Sequence, residues 1–242
     1  MIESNFDLEK KYLSEGYEFV IGVDEAGRGP LAGPVVAAAA IIKVKNFEDP
    51  TLEEFDLVRD SKTLSAKQRE KLFDFIQENF YIGLGIIDHK TIDRINILEA
   101  TYLAAKAAVS DLFRKINQDT RNNDQENFKF QISNSKQNPK LQNSKTIILF
   151  DGGKKIPNMS YEQKAIVNGD KYVKSISAAS IIAKVTRDRL MLELHEKYPE
   201  YFFDKHKGYG TKLHMEMLSE FGPCEIHRKS FEPVARLVKT RK

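Results

Sequence analysis

The chain has little cysteine and no tryptophan: one Cys and no Trp occur among its 242 residues. The single thiol, Cys224, cannot form an intrachain disulfide, so we expect a reducing compartment. No apolar run reaches the roughly 20 residues of a membrane span, and the charged N-terminus lacks the apolar core of a secretory signal. These absences predict a cytoplasmic protein that does not enter membranes.

An excess of one charge sign is also lacking, since the formal net charge is only +3. Basic residues are nevertheless concentrated in the second half of the chain, for example Lys154, Lys171, Lys184 and Lys207. A basic region beside carboxylates would suit a phosphate backbone and bound metal ions, although any single lysine can equally be a solvated surface residue. Net charge alone therefore identifies no partner.

Short apolar runs that alternate with helical patterns predict an α/β domain with a mixed sheet flanked by helices, plus a C-terminal helical extension. Strands are predicted at Phe19–Val23, Val35–Ile42, Tyr81–Ile87, Thr146–Phe150 and Lys164–Val167. Helices are predicted in the N-terminal leader, after the N-cap Ser65, from about Asn96 to Ile116, and from Ser175 to about Tyr198. The third of these helices is predicted from an apolar stripe of Leu98, Tyr102, Ala105, Val109, Leu112 and Ile116. We expect one main domain over residues 1–198 and a helical region over residues 199–242.

Between Gln118 and Lys145 the chain is rich in Asn, Gln, Ser and Lys and has few apolar residues. This composition predicts a flexible surface insertion at about residues 119–144 rather than a further domain. Because surface loops tolerate changes in length, we expect a short Gly/Ser linker to replace residues 119–143 without unfolding the core.

Two of the predicted core strands lead into carboxylates. Asp24 and Glu25 follow the first strand in V-I-G-V-D-E, and Asp151 follows a later strand in I-I-L-F-D. Acidic side chains are seldom buried unless they are paired or bound to a metal ion. Consecutive strand residues face opposite ways, so Asp24 and Glu25 can share one site only where the strand is ending. A glycine-rich turn directly after them makes such an ending plausible.

Oxygen ligands without a nearby Cys–His set favour Mg²⁺ or Mn²⁺ over zinc. Two such ions can activate water and stabilise the leaving oxygen in phosphodiester hydrolysis. The alternative for each aspartate is a turn or helix cap, and for Asp151 the pattern alone does not decide between the two. Gly27, Gly29 and Gly33 have the spacing G-x-G-x-x-x-G and lead into a strand, which argues against a dinucleotide-binding turn.

At these residues the chain resembles bacterial ribonuclease HII, whose signature is similar to I-G-V-D-E-A-G-R-G-P-L-A-G-P-V (Ile21–Val35). The similarity continues, in the order of that family, through D-S-K-x-L (Asp60–Leu64), I-N-I-L-E-A-T (Ile95–Thr101), L-F-D-G (Leu149–Gly152), G-D-K-Y (Gly169–Tyr172), S-I-S-A-A-S-I-I-A-K-V-T-R-D-R (Ser175–Arg189), H-K-G-Y-G-T (His206–Thr211) and H-R-K-S-F-E-P-V (His227–Val234). The resemblance thus covers nearly the whole chain outside the insertion.

The resemblance implies an RNase H-like fold and a type 2 ribonuclease H that hydrolyses the RNA strand of RNA–DNA hybrids. It also implies two-metal-ion incision 5′ to ribonucleotides embedded in duplex DNA, which leaves 3′-hydroxyl and 5′-phosphate ends. The implied metal ligands and catalytic residues are Asp24, Glu25, Asp151 and, supplied by the resemblance alone, Asp170. Asp188 is the rival fourth acid, but its neighbouring arginines favour an ion pair. We expect Mg²⁺ or Mn²⁺ as cofactor, and a monomer.

The resemblance further implies substrate contacts by Gly27, Arg28, Gly29, Ser61, Lys62, Lys184, Lys207 and Tyr209. In this interpretation the G-R-G turn contacts the ribose 2′-hydroxyl, and Tyr209 stacks on the adjoining sugar. The alternatives are a tight connection between two strands for the glycines, a helix-surface lysine for Lys184 and a capping aromatic for Tyr209. The chain departs from the family at Gly153, where Asn usually follows D-G, and at Asn168, where Lys usually precedes G-D.

Two other functions are compatible with such a fold. A non-catalytic hybrid-binding protein would tolerate the loss of carboxylates, yet all four are present. A DNA-directed nuclease or integrase would not need the G-R-G turn. We therefore expect an enzyme with a specificity for RNA.

Overall fold

The computed structural model describes residues 4–43, 54–122 and 145–240. Its strands are β1 (Phe19–Ala26), β2 (Val35–Ile42), β3 (Phe80–Ile87), β4 (Thr146–Asp151) and β5 (Glu162–Ile166). The helices of these ranges are α1 (Asp7–Ser14), α2 (Glu54–Leu57), α3 (Ala66–Asn79), α4 (His89–Ile95), α5 (Ile97–Asn122), α6 (Lys174–Lys197), α7 (Phe203–His206), α8 (Lys212–Phe221) and α9 (Val234–Thr240).

The five strands form one mixed sheet in the order β3-β2-β1-β4-β5. The first three strands form an antiparallel meander, and β4 and β5 then add parallel to β1. Val23 of β1 lies beside Phe150 of β4 in this register. The carboxyl ends of β1 and β4 therefore meet at one edge of the sheet, which confirms the predicted α/β class.

Helices cover both faces of the sheet. On one face, Val35, Ala37 and Ala39 of β2 belong to the core that α5 completes. The alternate residues Val36 and Ala38 face the core formed with α3 and α6. Every residue of β2 is buried, and its alanines explain why the run has no helical or strand periodicity.

Side chains accept hydrogen bonds from main-chain N–H groups at the starts of two helices. Ser65 is the N-cap of α3, as the sequence predicts, and it forms a capping box with Gln68. At the start of α6, the side chain of Glu9 accepts a hydrogen bond of 2.8 Å from the Ser175 N–H. Helix α6 passes so close to β1 that a Cβ on Gly22 would lie 2.2 Å from the carbonyl carbon of Ser175. The glycine therefore lets this helix reach the edge that carries the carboxylates.

The prediction that the first strand ends at Val23 is wrong. Strand β1 continues to Ala26, because Asp24 and Glu25 remain paired with Ala38 and Ala37 of β2. Both carboxylates are therefore residues of β1 rather than of the turn that follows it.

Helix α5 also departs from its prediction, since it ends at Asn122 rather than near Ile116. Residues 119–122 of the predicted insertion are thus helical, and residues 123–144 lie outside the described part of the chain. Leu98 is 39% exposed, whereas the other members of the predicted stripe are buried. Within α5 the buried residues begin at Ala100, which was not a member of the predicted stripe. Helices α2 and α4 were not predicted.

The C-terminal region after α6 is mainly helical, as expected, and packs against the connection between β1 and β2. Ala32 of that connection forms an isolated antiparallel bridge with His227. Asp93 of α4 accepts hydrogen bonds from the N–H groups of Lys229 and Ser230, both over 2.9 Å. In the ranges that the structure describes, no helix is both long and apolar enough to cross a bilayer.

Candidate active site

Three carboxylates converge at the shared edge of β1 and β4. Asp24, Asp151 and Asp170 each offer an oxygen atom, and these atoms lie within 4.8 Å of one another. The first two come from neighbouring parallel strands, which places them side by side. The structure therefore brings together three of the acids named from the sequence, Asp24, Asp151 and Asp170.

Asp170 reaches the site from a 3₁₀ turn, Gly169–Lys171, that follows β5. The Gly169 N–H donates a 2.7 Å hydrogen bond to the carboxylate of Asp151, so the turn is attached directly to β4. The Ser177 hydroxyl of α6 donates to the Asp170 carbonyl over 2.8 Å. Asn168 precedes the turn in the left-handed region, with φ 55° and ψ 38°. Asn is one of the few residues that adopt this conformation readily, so the position suits the asparagine that stands there.

Glu25 is the neighbour of Asp24 in β1 and is not one of these three residues. Its Oε1 accepts a hydrogen bond of 3.2 Å from Nη1 of Arg28. Its Oε2 is buried and has no hydrogen-bond partner among the described residues. An unpartnered buried carboxylate oxygen is costly unless a cation or a donor completes its surroundings.

Burial and mutual repulsion disfavour the charged forms of these acids. Burial, followed by the charges of Glu25 and Asp151, raises the pKa of Asp24 well above its usual range. Burial also raises the pKa of Glu25 and, together with the charge of Asp170, that of Asp151. Such a cluster gains stability from any cation that enters it.

Lys62 supplies one positive charge at the edge of the cluster. Its Nζ lies 3.0 Å from Oδ2 of Asp170, while three quarters of its side chain is exposed. Desolvation lowers the pKa of Lys62, but the hydrogen bond and the charge of Asp170 outweigh it and raise the pKa. Ser61, the neighbouring predicted contact, is buried, and its hydroxyl lies 2.9 Å from that of Ser180.

The G-R-G turn lies next to the carboxylates and to Tyr209. Gly27 has a φ of 97°, and a Cβ there would lie 2.1 Å from Nε of Arg187, so the turn requires glycine at this position. A Cβ on Gly29 would lie 3.8 Å from Cε1 of Tyr209, whose ring is 41% exposed. The predicted turn and the predicted aromatic residue are therefore neighbours.

The predicted lysines Lys184 and Lys207 lie on the same side of the molecule as Tyr209. Nζ of Lys184 is 5.7 Å from the centre of the Tyr209 ring and 2.7 Å from Oδ1 of Asp188. Asp188 is therefore an ion-pair partner, as expected, and not the fourth acid of the cluster. Lys207 has a φ of 50° two residues before Tyr209, and its ammonium donates to the Asp204 carbonyl.

A chain of buried histidines holds the Tyr209 main chain. The Cys224 N–H donates to Nδ1 of His227 over 3.0 Å, so the proton of the neutral His227 ring lies on Nε2. That nitrogen is 3.0 Å from Nε2 of His214, whose Nδ1 then donates to the Tyr209 carbonyl over 2.9 Å. Burial lowers the pKa of His214 to about 4 and that of His227 to about 3, which keeps both rings neutral.

Sequence reasoning missed these histidines, the buried arginines Arg187 and Arg228, and Ser180, whose hydroxyl contacts Asp24. His206, His227 and Arg228 occur in the H-K-G-Y-G-T and H-R-K-S-F-E-P-V motifs, but no spacing rule predicts that distant motifs meet. Their roles depend on tertiary contacts.

Comparison with known proteins identifies relatives over almost the full chain. The family model for Ribonuclease HII matches residues 21–234. The ribonuclease HII of Caldicellulosiruptor bescii is 47% identical over 230 residues, which cover 95% of this chain and 94% of the relative. The ribonuclease HII of Fusobacterium nucleatum is 47% identical over 217 residues, which cover 89% and 86%.

Solved structures agree with this assignment. The crystal structure of ribonuclease H2 from Pyrococcus horikoshii is 28% identical with a TM-score of 0.59, over 92% of this chain and 99% of that one. Bst-RNase HIII, solved in complex with Mn²⁺, shares the fold with a TM-score of 0.64 at 17% identity, over 95% of this chain and 72% of that one. The five-stranded sheet and its flanking helices accordingly form an RNase H-like fold. Taken with the family match, these similarities show that the chain belongs to the ribonuclease HII family and is a type 2 ribonuclease H.

Proposed function

We propose that this enzyme hydrolyses the RNA strand of RNA–DNA hybrids and incises duplex DNA 5′ to embedded ribonucleotides. The products would carry 3′-hydroxyl and 5′-phosphate ends, and the biological role would be the removal of ribonucleotides from DNA. The observation that carries the proposal is the convergence of three carboxylates beside a glycine turn and an exposed tyrosine. Family membership supports the same activity.

The acids of the site fit divalent metal ions, and we propose Asp24, Glu25, Asp151 and Asp170 as their ligands. The raised pKa values of three of these acids and the unpartnered Oε2 of Glu25 support this assignment. Ligands that offer oxygen alone favour Mg²⁺ or Mn²⁺. When bound, two such ions supply an activated water and neutralise the charge that develops on the phosphate.

Other side chains of the site would orient these acids and the substrate. Lys62 holds the Asp170 carboxylate and lies where it can also contact a phosphate of the cleaved strand. Arg28 holds Glu25 through Oε1 and leaves about half of its own side chain exposed for a neighbouring phosphate. Ser61 is a less direct candidate, because its buried hydroxyl contacts Ser180.

Discrimination of RNA from DNA requires hydrogen-bonding groups at the ribose 2′-hydroxyl. We assign this role to the main chain of Gly27, Arg28 and Gly29, and at the exposed Gly29 no Cβ blocks the approach of a nucleotide. The exposed ring of Tyr209 borders this turn and can stack on the adjoining sugar. Residues 199–242, which carry Tyr209, would thus form the part of the protein that completes the substrate groove. A monomeric state and a cytoplasmic location stay predictions from the sequence.

The first test compares a duplex that carries one ribonucleotide with an all-DNA duplex, each incubated with Mg²⁺ or Mn²⁺. Cleavage of the first alone, 5′ to the ribonucleotide, is the expected result. Asp24→Asn, Asp151→Asn and Asp170→Asn should each lose almost all activity, whereas Asp111→Asn, a carboxylate on the far part of α5, serves as the control. Activity like that of the wild type in Asp24→Asn or Asp151→Asn would overturn the ligand assignment.

A second test addresses Tyr209. Tyr209→Ala should keep its melting temperature and lose more activity on a single embedded ribonucleotide than on a continuous RNA–DNA hybrid. Equal losses on both substrates would assign Tyr209 to a structural role.

Met substitutions of Lys62, Lys184 and Lys207 test the phosphate contacts, since the loss of one true contact should flatten the salt dependence of binding by about one unit of slope.

A further inference from the structure

Two buried arginines lie behind the loop that joins β1 to β2. Arg187 of α6 and Arg228 of the C-terminal region are both fully buried. Desolvation lowers the pKa of Arg187 to about 10, and desolvation together with the charge of Arg187 lowers the pKa of Arg228 to about 9. Both groups therefore remain cationic at neutral pH. Their donors, five on each rigid planar fork, are directed at main-chain carbonyl oxygens.

Arg228 contacts both ends of the loop. Its Nη2 donates to the Gly27 carbonyl over 2.6 Å, and its Nη1 donates to the Arg28 carbonyl over 3.0 Å. Its Nε donates to the Gly33 carbonyl over 3.0 Å, and Nη2 also donates to the Pro34 carbonyl over 3.1 Å. One side chain thus fixes peptide planes on both sides of the exposed turn.

These bonds determine the direction of two amide groups. In a trans peptide the C=O of one residue and the N–H of the next point in opposite directions. Because the carbonyl groups of Gly27 and Arg28 point to the buried guanidinium, the N–H groups of Arg28 and Gly29 point away from it. Arg28 and Gly29 are themselves exposed, so the two donors face the surface that Tyr209 borders.

Arg187 joins this loop to the turn that carries Tyr209. Its Nε donates to the Pro34 carbonyl over 2.9 Å and its Nη2 to the Ala32 carbonyl over 3.1 Å. Its Nη1 donates to the Lys207 carbonyl over 3.0 Å, two residues before Tyr209. The only covalent route between the two loops runs through most of the chain, so this side chain is a short connection between them.

We propose that Arg228 and Arg187 are positioning residues for ribonucleotide recognition: Arg228 orients the Arg28 and Gly29 amides, and Arg187 sets their distance from Tyr209. The inference rests on the proposed function, because it assigns a purpose to groups that act only if the turn contacts the 2′-hydroxyl. A connection between two antiparallel strands needs no buried cation, and burying one is costly. We therefore infer that the buried cations serve to fix the hydrogen-bond donors of a recognition site.

The test measures binding rather than cleavage. Dissociation constants are determined in Ca²⁺, which we expect to bind without good turnover, for a duplex with one ribonucleotide and for the matching all-DNA duplex. The dissociation constant of the all-DNA duplex divided by that of the ribonucleotide duplex isolates the contribution of the 2′-hydroxyl. Arg228→Lys and Arg187→Lys retain the charge but lose the fork, whereas Arg189→Lys changes an arginine of the same helix that pairs with Glu70 and serves as the control.

Arg228→Lys should reduce the ratio roughly tenfold, the effect of one misoriented hydrogen bond, while Arg189→Lys leaves it unchanged. Arg187→Lys should reduce the ratio as well, and a second substitution, Tyr209→Ala, should then have a smaller effect than it has in the wild type. A purely structural role would lower the melting temperature and weaken both duplexes equally, which would overturn the proposal. Failure of both lysine variants to fold would overturn it too.

The outcome separates this inference from the proposed function. If the wild-type protein binds the two duplexes equally, the proposed recognition of the 2′-hydroxyl is wrong. If the wild type discriminates and Tyr209→Ala discriminates less, but both lysine variants match the wild type, only the role of the arginines is wrong.

Discussion

Replacement of Asp24 by asparagine should stabilise the metal-free protein while it abolishes cleavage. Asp24 is 5% exposed, and burial together with the charges of Glu25 and Asp151 raises the pKa of its carboxyl. A buried polar group without full compensation costs about 1–3 kcal/mol in proteins, and a charged one costs more. Asparagine has nearly the same shape and keeps the oxygen that accepts the 2.7 Å hydrogen bond from the Glu25 N–H.

We therefore expect the free energy of unfolding in EDTA at pH 8 to rise by about 1–3 kcal/mol. For a chain of this length, that corresponds to an increase in Tm of roughly 2–10 °C. The folded pKa of Asp24 lies above the unfolded value, so wild-type stability is greatest below the unfolded pKa and falls as pH rises through the folded pKa. The advantage of the variant should therefore shrink toward pH 4.

Addition of Mn²⁺ should reverse the order of stability. Ions that bind only the native state stabilise it by mass action, and the variant has lost one ligand. Asp111→Asn is the control, because this variant should be less stable than the wild type in EDTA. Desolvation raises the pKa of Asp111, but the hydrogen bonds that it accepts from Lys115, Leu84 and Arg114 outweigh desolvation and lower the pKa. Thermal and urea unfolding with and without Mn²⁺ measure these differences. If Asp24→Asn is less stable than the wild type in EDTA, the burial of the Asp24 charge and its repulsion by Glu25 and Asp151 do not destabilise the metal-free protein as argued.

Three further predictions concern other parts of the structure. The neutral pair His214 and His227 binds fewer protons when folded than when unfolded, so urea unfolding should show stability lost as pH falls from about 6.5 toward 4, and His214→Gln should flatten that loss. Gly22→Ala should cost more than about 2 kcal/mol, because its Cβ would overlap the Ser175 backbone, whereas Gly153→Ala, with open space at 4.0 Å, should change stability by less than about 0.5 kcal/mol. Asn168→Lys, which restores the residue usual in the family, should destabilise the left-handed position by about 1 kcal/mol, and Asn168→Gly should not; equal unfolding curves for the two variants would contradict this reading.

The strands and the acids at their ends could be predicted because each depends on local pattern. Val35–Ile42 is an apolar run of strand length with β-branched ends, and it forms β2 with those bounds. Ser65 was recognised as an N-cap because a serine directly before a helical apolar pattern is a local signal, and it caps α3 in the structure. Asp24 lies near the end of β1 and Asp151 ends β4, positions beside the core where an acidic side chain needs a partner or a cation.

Features that depend on distant contacts could not be derived from the residues alone. Asp170 stands in a short turn whose location is set by a hydrogen bond to Asp151, and only the family resemblance pointed to it. Strand β1 continues past Val23 because Asp24 and Glu25 pair with β2, and this pairing cannot be predicted from the two acidic residues themselves. The buried arginines are unpredictable for the same reason, because charged residues in a polar sequence context are usually exposed.

The pairing of β1 with β4 also determines at what stage of synthesis the carboxylate site can form. These neighbouring parallel strands are separated in sequence by β2, β3 and the long helix α5, so their contact closes a very long loop. Contacts of this kind form late and slowly in folding, after the local hairpins and helices. A nascent chain that has emerged only as far as α5 contains strands β1 to β3 and Asp24. It lacks Asp151 of β4 and Asp170 of the turn that follows β5. The three carboxylates can therefore come together only after β4 and the turn with Asp170 have been synthesised.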